Sequence, residues 1–96
     1  FNKTIEMVSI MDTLVENVIT CGVCLKHFDE PRMLSCSHTF CLLCIQQMAL
    51  ENNGRMQCPK NDGTTVEQNE INGLPMNEDL RKLVQVIGKF RVLFNS

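Results

Sequence analysis

Residues 4–19 place Val8, Met11, Leu14 or Val15, and Val18 at helical spacing, while Glu6, Asp12 and Glu16 fall elsewhere, which predicts a helix with an apolar stripe running straight into Cys21. Leu42 to Glu51 is rich in leucine, isoleucine, methionine and alanine without a breaker and ends at Asn52-Asn53-Gly54. That pattern predicts a helix of about three turns with a glycine stop. A second long helix opens after Leu74-Pro75-Met76, with Asn77 as N-cap and Glu78 and Asp79 suited to the positive first turn. Leu80, Leu83, Val84, Ile87, Phe90 or Arg91, and Phe94 carry its stripe almost to the end. Between these stretches the periodicity fades. Residues 25–35 read mostly as loop, with a turn at Asp29-Glu30-Pro31; Arg55 to Gln57 reads as a short strand; Gly63 to Gly73 is polar, with strand character at Thr64-Thr65-Val66.

The loops carry the chemistry. All six cysteines and both histidines lie between Cys21 and Cys58. The order is Cys21-Gly-Val-Cys24, then Cys36-Ser-His38, then Cys41-Leu-Leu-Cys44, then Cys58-Pro-Lys-Asn-Asp62. A Cys-x2-Cys hook suits tetrahedral zinc, because the two-residue spacer lets a tight turn bring both sulfurs to one ion at about 2.3 Å. One such hook is weak evidence. Two hooks, a Cys-x-His and a further Cys supply seven good ligands, which points to two zinc ions and an eighth ligand still to be found.

At 96 residues the chain is one domain with a limited apolar core, the size at which metal staples are usual. The alternative use of six cysteines, a secreted disulfide framework, is disfavoured by their spacing alongside histidine and by the lack of a leader pattern. The chain starts at Phe1 without a methionine and stops inside an apolar helical pattern, so it is expected to be a piece of a longer protein. No apolar run reaches the ~18 residues of a membrane span, and a cytoplasmic location is expected, with the nucleus as the alternative. The formal charge is −2, and thiolates loaded with zinc make it more acidic still. With no Lys/Arg cluster, the domain has no electrostatic footprint for nucleic acid.

The ligand run, together with Phe28, Pro31, Leu34, Phe40, Ile45 and Pro59 between the ligands, resembles a RING finger, and more closely the RING of tripartite-motif and Roquin-like proteins. The resemblance covers about residues 18 to 84. It implies a small α+β zinc-binding domain, a cross-brace flanked by N- and C-terminal helices: residues 1–20 a helix that packs on the RING or forms a dimer bundle, 21–66 the RING finger, 67–96 a linker and helix. It puts Cys21, Cys24, Cys41 and Cys44 on one structural Zn²⁺, and Cys36, His38, Cys58 and one more residue on the second. The usual pattern has a cysteine three positions after Cys58, where Asn61 stands here. Asp62 is the expected eighth ligand, as its carboxylate is of a type zinc accepts and Roquin-like RINGs are similar in closing this site with an aspartate; Asn61, a water, or His27 are the alternatives.

The same resemblance implies a function. RINGs recruit a ubiquitin-charged conjugating enzyme and promote transfer to substrate lysines. By position, Val23, Met48 and Pro59 match the residues that contact that enzyme, although local zinc-loop packing also explains Val23 and Pro59. An Arg or Lys that often follows the eighth ligand in active RINGs is Gly63 here, so a RING-like scaffold for homodimerisation or protein binding is the alternative reading. The flanking stripes imply a homodimer through the helices.

Overall fold

The computed structural model describes the backbone of residues 14–95 and the side chains of residues 14–89. The stripe positions Val8 and Met11, and the side chains of Phe90, Arg91 and Phe94, lie outside the described residues. Residues 14–19 are helical (α1) and end at an isolated bridge pairing Thr20 with His27. The face that α1 buries differs from the predicted stripe. Ile19 is fully buried, and Val15, one turn before it, is half-buried, whereas Leu14 and Val18 are 58% and 53% exposed. The spacing was compatible with either face, and what selects Ile19 is the chain reversal after it, where the Phe28 N–H donates to the Ile19 carbonyl at 2.9 Å.

Residues 25–35, expected to be mostly loop, contain β1 (Pro31–Met33), which pairs antiparallel with β2 (Thr39–Cys41) in the register Pro31↔Cys41, Arg32↔Phe40, Met33↔Thr39. Proline is tolerated because it stands first in its strand. The intervening turn closes through Leu34 N–H to His38 C=O and Ser37 N–H to Leu34 C=O, both 2.9 Å. β2 passes directly into α2 (Leu42–Glu51), whose Ile45 and Ala49, one turn apart, are buried. α2 stops where expected: Asn53 and Gly54 take φ of +59° and +92°, and the Gly54 N–H donates to the Ala49 carbonyl at 2.7 Å.

β3 (Arg55–Gln57) then pairs antiparallel with β4 (Thr65–Glu67). Alternation decides the register. Met56 faces Val66 across the pair, both buried, while Arg55 and Glu67, opposite one another on the wet face, meet at 2.7 Å. After β4 the polar stretch holds a 3-10 helix (Gln68–Gly73) with a capping box between Glu67 and Glu70. This helix buries Ile71 against α2. The following Leu74-Pro75-Met76 runs alongside β1 as an unpredicted third extended segment: Met33 N–H donates to Pro75 C=O at 2.9 Å and Asn77 N–H to Pro31 C=O at 2.7 Å.

α3 (Glu78–Asn95) starts as predicted. Asn77 Oδ1 accepts from the Leu80 N–H at 3.2 Å, while its Nδ2 donates to Thr39 Oγ1 at 2.9 Å, tying the helix start to β2. The core is a single thin cluster of Leu34, Phe40, Ile45, Ala49, Met56, Val66 and Ile71 together with Cys21, Cys41 and Cys58, with Phe28 packed against it. No helix among the described residues is long and apolar enough to cross a membrane.

Candidate metal centres

Four loops converge on two points. The first loop is a closed turn in which the Leu25 N–H donates to the Cys21 carbonyl and the Cys21 N–H to the Lys26 carbonyl, both at 2.9 Å. This turn presents Cys21 and Cys24. Cys41, ending β2, and Cys44, in the first turn of α2, come to meet them, and the four sulfurs lie within 4.8 Å of one another. The second point gathers Cys36 and His38 from the β1–β2 turn, Cys58 after β3, and Asp62 from the loop leading to β4, again within 4.8 Å. The pairs therefore alternate along the chain, first and third to one centre, second and fourth to the other, which is a cross-brace. The hairpin β1–β2 carries ligands of both.

The donor geometry fits zinc. Tetrahedral coordination with Zn–S of about 2.3 Å sets sulfur–sulfur edges of about 3.8 Å. The structure has Cys21–Cys44 and Cys24–Cys41 at 3.9 Å and Cys36–Cys58 at 3.8 Å. Those separations also exclude disulfides, which need sulfurs at about 2.05 Å, and all six cysteines are free thiols. His38 Nδ1 lies 3.3 Å from Cys36 Sγ, 3.4 Å from Cys58 Sγ and 2.8 Å from Asp62 Oδ2.

The electrostatics of the protein alone show what a cation supplies. Burial pushes the Cys41 thiol up to about 12, with the neighbouring Cys21 charge adding to it. Burial and Cys21 also push Cys44 far above the ordinary thiol range. Burial raises Cys58 to about 11. Cys21 goes the other way: burial acts to raise it, but backbone N–H groups of Cys24, Cys41 and Val23 aimed at its sulfur bring it down to about 7. Sulfurs this close cannot all ionise by themselves, and a divalent ion at their centre is what makes all four thiolates compatible.

Asp62 is the carboxylate that stands with Cys36, His38 and Cys58. Asn61 is exposed at φ +57°, and His27 lies outside the cluster, its Nε2 pairing instead with the Glu16 carboxylate at 3.1 and 3.2 Å. Two left-handed residues, Asn61 and Gly63 (φ +85°), bracket Asp62 and accommodate the extra residue of this loop. The Thr64 N–H donates to Asp62 Oδ1 at 3.0 Å, which leaves Oδ2 facing the other donors. Cys36 and that N–H together hold the Asp62 carboxyl well below the usual carboxylate range. The Thr64 support was not anticipated, although Asp-Gly-Thr carries the signature of a side chain that bonds the backbone two residues on. Asp62→Ala is expected to lower the affinity of the second site by at least ~10-fold, the scale seen when even supporting groups are lost, in a competition titration against a chromophoric chelator. Asn61→Ala should leave it unchanged.

Both centres take four protein ligands, so they are structural zinc sites without the open position that hydrolysis requires. The other expected site residues are spread over three elements. Val23 is 38% exposed on the first zinc loop, Met48 is half-buried on α2 against the core cluster, and Pro59 is exposed directly after Cys58.

The model of the RING-type zinc finger matches residues 21–59. Tripartite motif-containing 13 of Danio rerio is 34% identical over 85 residues, which are 83% of this chain and 21% of that protein. The E3 ubiquitin-protein ligase TRIM56 of Homo sapiens is 35% identical over 52 residues, 54% of this chain and 7% of its own length. The postreplication repair E3 ubiquitin-protein ligase RAD18 of Yarrowia lipolytica is 32% identical over 71 residues, 74% of this chain and 19% of its own. The chain thus spans about a fifth or less of the curated relatives it matches.

Proposed function

Residues 21–59 belong to the RING-type zinc-finger family, and on that premise we propose that the chain is a ubiquitin ligase module that binds a ubiquitin-charged conjugating enzyme and promotes transfer to substrate lysines. The observation that carries the reading is the pair of fully ligated centres. They commit the cysteines to metal, leaving a rigid surface on which Val23 and Pro59 stand exposed at the edges of two zinc loops. Relatives named as E3 ubiquitin-protein ligases support it. Catalysis of this kind is positional: the lysine amine attacks the carrier's thioester carbonyl, the carrier thiolate leaves, and the RING contributes by restricting the thioester to productive geometries, worth several kcal/mol with no acid or base of its own. The six thiols must stay reduced to hold zinc, which fits a reducing compartment, so a cytoplasmic or nuclear site of action is part of the proposal. The test is autoubiquitination over a panel of conjugating enzymes; ubiquitin chains are expected with at least one, and none across the panel from a two-zinc protein would favour a binding scaffold.

The scaffold reading has one observation of its own. Gly63 follows Asp62, so no cation stands just beyond the last ligand, and its φ of +85° disfavours a side chain there even though a Cβ would meet nothing within 4 Å. An extra ubiquitin contact would then have to come from elsewhere, and a second protomer is the proposed source. Leu14 and Val18 on α1 and Val86 on α3 are each more than half exposed, which supports a homodimer through the flanking helices. Light scattering at tens of micromolar should give twice the chain mass, and Leu14→Glu or Ile87→Glu should lower it; a monomeric mass for the unmutated protein rejects the dimer.

A further inference from the structure

A groove of about 430 Å³ runs between α1, the β1–β2 turn and the start of α3, a volume in the range of ordinary ligand sites. Phe40, buried, and Phe28 and Leu80, half-buried, give it an apolar lining. The polar part of the lining is rich in donors. The Thr39 hydroxyl accepts from Asn77 Nδ2 at 2.9 Å, which leaves its own proton for another acceptor. The Ser37 hydroxyl and the Lys60 ammonium have no partner among the described residues.

His38 adds a further donor. Its Nδ1 faces Cys36, Cys58 and Asp62 at the second centre, so the ring proton belongs on Nε2, at the opposite edge. A metal-bound histidine normally donates that N–H to a carboxylate, a carbonyl or water. His38 lines the groove, and no described residue accepts from its Nε2. In a chain of formal charge −2, the described residues that line the groove include Lys60 and no aspartate or glutamate. A negative charge is therefore what this lining complements. We propose that the groove is a docking site for an acidic peptide: a Glu or Asp carboxylate takes the His38 Nε2–H and the Lys60 ammonium, and an adjacent apolar side chain lies against Phe28 and Leu80. Val23, Met48 and Pro59 do not line the groove, so this peptide and the proposed conjugating enzyme occupy different surfaces.

The probes are acetylated, amidated tripeptides with a central Glu and varied aliphatic or aromatic flanks, each paired with its Gln counterpart. They are titrated into the zinc-loaded chain and followed by NMR, with sodium acetate as the bare carboxylate. Glu peptides are expected to give saturable shifts at Ser37, Thr39, Lys60 and Leu80, and their Gln counterparts to bind about 10-fold more weakly, the scale of one hydrogen bond to a charged group. Lys60→Gln is expected to weaken the Glu peptides about 10-fold and Lys60→Arg to keep most of the affinity, with two zincs retained in both. Silence across the panel, or equal binding of Glu and Gln peptides, overturns the proposal. Acetate binding as tightly as the peptides also overturns it, by reducing the groove to a bare anion site. Shifts at the same four residues on dilution of the unliganded chain would overturn it too, by assigning the groove to a second copy of this chain.

Discussion

Stripping both zinc ions is expected to unfold residues 21–66 outright. The buried set is small, and Cys21, Cys41 and Cys58 among it are themselves ligands. β1 to β4 are three residues each, in two-stranded pairs, and isolated hairpins of that kind are marginal in water. Structural zinc binding supplies about 10–16 kcal/mol at neutral pH, against a net stability of about 5–15 kcal/mol for a whole domain. The metal term therefore decides whether the centre folds. Acid should have the same effect as a chelator. In the unfolded chain the thiols titrate near the ordinary value of about 8.5 and hold their protons at neutral pH, whereas zinc holds thiolates, so zinc binding releases protons and weakens as pH falls. The check is amide NMR before and after chelation, with collapse of dispersion expected for residues 21–66; a chelated protein with an unchanged spectrum would refute the prediction.

The second large effect is expected from Val23→Arg. Val23 is exposed on its turn and outside the core cluster, so an arginine can extend into water in the free domain, and its stability should stay within about 0.5 kcal/mol. Against an apolar partner surface the guanidinium is stripped of water with nothing to pair it. Loss of a central contact of this type costs 2 kcal/mol or more, about 30-fold or greater in affinity. A titration of conjugating enzyme followed by NMR should show saturable shifts for the unmutated domain and none for the variant, with zinc content unchanged. A folded, two-zinc Val23→Arg domain with unaltered affinity would place the contact surface elsewhere.

Where local chemistry dictated local structure, the sequence was sufficient. α2 is bounded by a ligand-bearing first turn and by Asn53-Gly54, both visible as residue types, and its observed limits match the prediction. Asn77 is an N-cap by composition and by geometry. The choice of Asp62 followed from donor chemistry together with the family resemblance, and the structure draws its carboxylate into the second cluster. What the local pattern missed is held by distant partners. Three-residue strands such as β1 and β2 are too short to show alternation, and the extended run at Pro75 exists because Met33 and Pro31 lie beside it. Ile71 hides in a polar stretch because its helix is a single 3-10 segment. The alternating pairing of the zinc loops is a long-range property; the family resemblance anticipated it, and spacing alone did not dictate it. Which face of α1 the chain itself buries was not legible because Val18 and Ile19 are both apolar, and the return of Phe28 to the Ile19 carbonyl separates them.

The central proposal is that the zinc-braced surface accelerates ubiquitin transfer by positioning the loaded thioester. The most direct measurement is single-turnover discharge of a ubiquitin-loaded conjugating enzyme onto free lysine, with and without the zinc-loaded chain. The account predicts at least a ~10-fold faster discharge, about 1.4 kcal/mol of barrier, that is lost in Val23→Arg. A discharge rate that the zinc-loaded, correctly folded chain leaves unchanged with every conjugating enzyme it binds would contradict it.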